Sequence, residues 1–148
     1  MNDPNVSGVL LWILLGLFCL RVLGQVLVVL HHPRWLPPMS QWYSGLLAYR
    51  FLLPIQGVFI VAMALMAHSV TRSRPGSATT LTDCLVPGPE VARGLVWFSY
   101  LYAGSMAVRY VIRMARRPDQ RWFGGTIPII FHVVLAAFVY VFGRYYVR

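Results

Sequence analysis

The chain reads as an all-α, polytopic membrane protein: four transmembrane helices in an up-down bundle, with a short interfacial segment after the first. Three observations carry this. Four apolar runs, at about 8–30, 45–67, 94–113 and 126–143, each approach the ~20 residues that cross ~30 Å of hydrocarbon as helix. Hydrophobic residues make up 58% of the 148 and charged residues 11%, against roughly 45–50% and ~25% in soluble domains. The acids are four, Asp3, Asp83, Glu90 and Asp119, and none falls in an apolar run. One transmembrane domain accounts for residues 1–148.

The first run ends at His31-His32-Pro33, because proline disfavours helix at the residue before it. The linker that follows places Trp35, Trp42 and Tyr43 among prolines, and such rings prefer the headgroup region. His31, His32, Trp35, Trp42 and, after the third run, Trp122 are therefore expected as interfacial anchors. The second run holds Arg50, Pro54 and Gln56; Pro54 frees the carbonyl of Arg50 and predicts a kink. Residues 69–93, rich in Ser, Thr, Pro and Gly, are expected to form an exposed flexible loop. The third run includes Ala103-Gly104-Ser105, small residues that let another helix approach. The fourth starts after Gly124-Gly125, with Pro128 in its first turn, where a missing N–H costs least.

Alternating the runs across a bilayer gathers one side of the bundle. Arg34, Arg50, Arg109, Arg113, Arg116, Arg117 and Arg121 lie there, seven arginines against five (72, 74, 93, 144, 148) on the other side. The positive-inside rule then makes loops 31–44 and 114–125 cytoplasmic, in a bacterial inner membrane. The net charge of +9 suits anionic lipid or an acidic partner rather than nucleic acid, since the arginines stand at helix ends and inside apolar runs.

Polar groups within the runs need a reason to be there, at ~2.5–3.5 kcal/mol for a charge at mid-span. Arg21, Gln25 and His32 stand at i, i+4 and i+11, one stripe on a helix; Tyr102, Arg109 and Arg113 form another. Arg21 is ten residues from His31, about 15 Å deep at 1.5 Å per residue. No carboxylate shares this layer. A guanidinium offers donors in a fixed fork, so a phosphate, a carboxylate, a quinone carbonyl or the acidic side chains of a neighbouring subunit would complement it. The expected site, for an anionic headgroup or quinone, comprises Arg21, Gln25, Arg50, Arg109 and His132. No catalytic set and no metal cluster is predicted, and Cys19 reads as a small buried hydrophobe.

His132 in Ile-Ile-Phe-His-Val-Val is expected as a hydrogen-bonded structural histidine; the alternative is an axial ligand of haem b, with His31 or His32 opposite. No cofactor is otherwise expected. A second alternative comes from Tyr100-Leu-Tyr102 followed by Arg109-Tyr110, in a chain of four spans with an arginine-rich end. This resembles the membrane-associated glutathione and eicosanoid enzymes, trimers that bind an anionic thiol between subunits. Where that family has a glutamate and asparagine cluster after its first span, this chain has Gln41-Trp42-Tyr43. The leading expectation is a noncatalytic accessory or assembly subunit of a larger inner-membrane complex, with membrane lipids and other subunits, or copies of itself, as partners.

Overall fold

A computed structural model describes residues 4–31, 49–72, 86–116 and 127–147. These form four helices: α1 (Pro4–His31), α2 (Tyr49–Thr71), α3 (Pro89–Arg116) and α4 (Ile127–Tyr146). All four are long and apolar enough to cross a membrane. Their outward faces are apolar too: Leu20 is 63% exposed, Val58 70% and Leu101 73%. A helix apolar all round belongs in lipid rather than at a water boundary. The chain is a small multi-pass integral membrane protein.

The helices outrun their hydropathy. Residues 69–71 and 89–93, expected in the loop, are helical. Helix hydrogen bonding does not stop where apolar residues stop. Pro89 suits the first helical position, and Glu90 lies in the first turn, where a negative charge meets the positive end of the helix dipole. Glu90 also pairs with Arg93, one turn on. α2 continues through Pro54 as one helix. The linker expected at the interface, with His32, Trp35 and Trp42, and the anchor expected at Trp122 lie outside the described residues.

Contacts fix the up-down topology. Gly8 near the start of α1 meets Thr71 at the end of α2, and Gly143 near the end of α4 meets Ala92 near the start of α3. Ser69 and Tyr146 bring the ends of α2 and α4 together, with hydroxyl oxygens 3.4 Å apart. α1 borders both α2 and α4, α2 touches α4 lightly, and α3 approaches α4 alone. The bundle is therefore a curled row, α2–α1–α4–α3, rather than a closed ring.

The core is a seven-residue seam. Leu11, Leu15, Phe18 and Val22 on α1 face Met63, Ala67 and Val70 on α2, with Phe138 and Phe142 of α4 closing over them. The same spacing carries α1 on to Gln25 and α2 back to Gln56, and those two amides hydrogen-bond at 2.9 Å, Gln56 Nε2 donating to Gln25 Oε1. Counting outward from this pair brings Phe18 level with Met63 and Leu15 with Ala67. Close helix approach occurs at Gly143; in Ala103-Gly104-Ser105, Gly104 has open space where a Cβ would sit, and Ser105 is exposed. The face of α3 that meets α4 carries buried Ala92 and Ser99 and runs on through Ala103, which borders Ile129, Ile130 and Val133 of α4.

Candidate functional site

Below the seam, toward the arginine-rich side, the four helices part around a cavity of about 380 Å³, at the lower end of the ~300–1,000 Å³ typical of small-molecule sites. Phe18 and Arg21 enter it from α1, Leu52, Ile55, Gln56 and Phe59 from α2, Tyr102, Met106 and Arg109 from α3, and Phe131, His132 and Leu135 from α4. Most of these side chains are apolar. The polar ones come from all four helices.

Of these, Arg21 lies one turn before Gln25 and beside Val22, which places it on the flank of the seam that looks toward α4. Its guanidinium carbon lies 5.4 Å from the centroid of the Phe131 ring, within cation–π range. Its Nε is buried and has no hydrogen-bond partner among the described residues. Gln56, 4% exposed, gives its amide N–H to Gln25, but its Oε1 is buried without a partner. Buried donors and acceptors are rarely left unmet.

On the facing wall the Tyr102 hydroxyl and His132 Nδ1 share a hydrogen bond of 2.6 Å, their rings edge to face. Tyr102 and Arg109 stand seven residues apart, two turns of one face, so the helix that places the phenol also places the exposed guanidinium at the cavity rim. Among the described residues Glu90 is the sole acid. It sits at the far end of α3, 19 residues and roughly 28 Å from Arg109 at 1.5 Å per residue, and it is paired with Arg93. Neither Arg21 nor Arg109 has a carboxylate partner there.

Of the five residues expected to form the site, Arg21, Arg109 and His132 line the cavity together. Gln25 lies behind it, wholly buried, and orients Gln56 instead of facing the space itself. Arg50 falls in the first turn of α2, and its side chain is outside what is described. Gln56, Tyr102 and Phe131 belong to the site as well. Gln56 shares the seven-residue register of the α2 seam, and Tyr102 shares a stripe with Arg109, so spacing alone points to both; Phe131 carries no such signal.

His31, exposed at the end of α1, stays at the helix terminus as an anchor would. Of the other imidazoles, His68 lies near the end of α2 on the other membrane side, and His32, a candidate axial haem ligand opposite His132, lies outside the described residues. The tyrosine–arginine pattern of α3 divides in space. Tyr102 and Arg109 face the cavity, Tyr100 packs edge to face on Tyr140 at 5.5 Å, and Tyr110 borders a separate apolar depression. No protein-family model matches this chain, and neither does any curated protein or solved structure compared with it.

Proposed function

We propose that the cavity holds the oxyanion head of a partner molecule inside the membrane layer, and that the protein serves as a noncatalytic accessory or assembly subunit of a larger inner-membrane complex. The observation that carries this is Arg21: a buried guanidinium nitrogen without a hydrogen-bond partner, in an apolar-walled space shared with Arg109, with no acid of the described residues near either. Two like charges in a low-dielectric space repel, and each is expensive to keep there alone. An oxyanion between them relieves both and accepts the forked N–H donors. A phospholipid phosphate and a carboxylate from a neighbouring subunit share this chemistry, and a quinone carbonyl would accept the same N–H donors without the charge. The face of the Phe131 ring, over which Arg21 lies, and the Tyr102–His132 pair form walls against which such a head would sit.

The test is native mass spectrometry of the full chain extracted in mild detergent, alongside native electrophoresis of the same extract. Wild type is expected to retain an anionic lipid or quinone adduct, or to comigrate with a larger assembly. Arg21→Gln and Arg109→Gln are each expected to reduce whichever is seen by tenfold or more. Unchanged adducts and unchanged migration in both variants would overturn the reading.

A further inference from the structure

We infer that the cavity takes an anionic phospholipid from the side, through the gap between α2 and α3, with the phosphate at Arg21 and an acyl chain lying along that gap. The inference rests on Arg21 being an oxyanion ligand, and goes further by naming the source of the oxyanion and its route.

The row α2–α1–α4–α3 leaves α2 and α3 without backbone contact, while both contribute cavity walls. The cavity therefore has its floor on α1 and α4 and its mouth between α2 and α3. The lips of that mouth are apolar: Ile55 and Phe59 on α2 are 43% and 45% exposed, with Met106 facing from α3. A mouth of this kind opens to lipid tails rather than to water. Arg21 is ten residues from the end of α1, about 15 Å along the helix, so any anion must descend to meet it; a lipid enters with its chains already in hydrocarbon, and only its head is desolvated against the two guanidiniums. Charge settles which lipid. Arg21 and Arg109 both face the space and want a net anion, and the partnerless Gln56 Oε1 at the same cavity accepts a hydrogen bond. A phosphate whose headgroup bears a neutral hydroxyl serves both without adding a third cation, as an ammonium would. A second copy of this chain cannot substitute, because none of its four apolar runs carries a carboxylate.

The experiment uses the full chain in nanodiscs doped with a phosphatidylglycerol that bears a photoreactive diazirine midway along one acyl chain, with adducts mapped by peptide mass spectrometry. Adducts are expected to concentrate on Ile55, Phe59 and Met106, at least tenfold above those on Leu20 and Leu23 of the outer α1 face. Arg21→Gln should abolish that excess, and Arg21→Lys, which keeps the charge but loses the fork, should restore part of it; circular dichroism and gel filtration of each variant confirm folding. Excess inorganic phosphate should not compete. Arg21-dependent competition by phosphate with evenly spread adducts would overturn lateral capture while leaving Arg21 an oxyanion ligand. Adducts indifferent to Arg21, with no displacement by phosphate, would remove both.

Discussion

The two ends of the bundle are built on opposite rules. At the end where α1 begins and α4 finishes, helices touch through glycine and alanine: a Cβ on Gly143 would meet the Ala92 carbonyl oxygen at 3.0 Å and Leu95 Cβ at 3.1 Å, and one on Gly8 would meet Thr71 Cγ2 at 2.6 Å. Toward the other end the same helices carry Arg21, Gln56, Tyr102, Arg109 and His132 around open space. Lipid supplies no hydrophobic drive to hold helices together, so close contact and hydrogen bonds do so. The tight end and the Gln25–Gln56 bond therefore hold the open end in shape, and the contrast separates stability from binding along the membrane normal.

The contrast is easiest to break at its tight end. Gly143→Leu forces a side chain into backbone and is expected to destabilise by about 1–3 kcal/mol or more, read as a lowered thermal midpoint in detergent. Next comes the boundary between the ends. Gln25→Leu strands the Gln56 amide among apolar side chains, at a cost of about 1–3 kcal/mol, whereas Gln25→Leu with Gln56→Leu should return close to wild type; a double-mutant cycle measures the difference, and additive losses would show that the two amides do not act as a pair. In the open end Tyr102→Phe removes only the bond to His132, about 0.5–1.5 kcal/mol, with a smaller shift of midpoint. Smallest of all, Gly104→Ala enters open space on α3 and should stabilise by a few tenths to about 1 kcal/mol through helix propensity. A large loss there would mean that this face is covered by something the isolated chain lacks.

Hydropathy made the four helices and their alternation legible, because an apolar run of spanning length has few alternatives. It could not show where they end. Pro89-Glu90 starts α3 five residues before the apolar run, and only helix-start chemistry marks that point. For the site, stripe geometry brought out Arg21 and Arg109, and depth within the fourth run brought out His132; the three side chains line one cavity. It put Gln25 with them, since a helical stripe gives direction but not which neighbour lies there; the neighbour is Gln56. The small triplet at Ala103-Gly104-Ser105 divides for the same reason, because small residues permit contact without specifying a partner: Ala103 borders α4 while Gly104 meets open space.

Among the described residues, α3 packs against α4 alone. Mechanically it is an outrigger: a load on its outer rings, Trp97 and Phe98, or on Leu101, all of them exposed, is borne by α4 and reaches the cavity wall at Tyr102 and His132. A force that tilted this strut would change the width of the cleft from outside it.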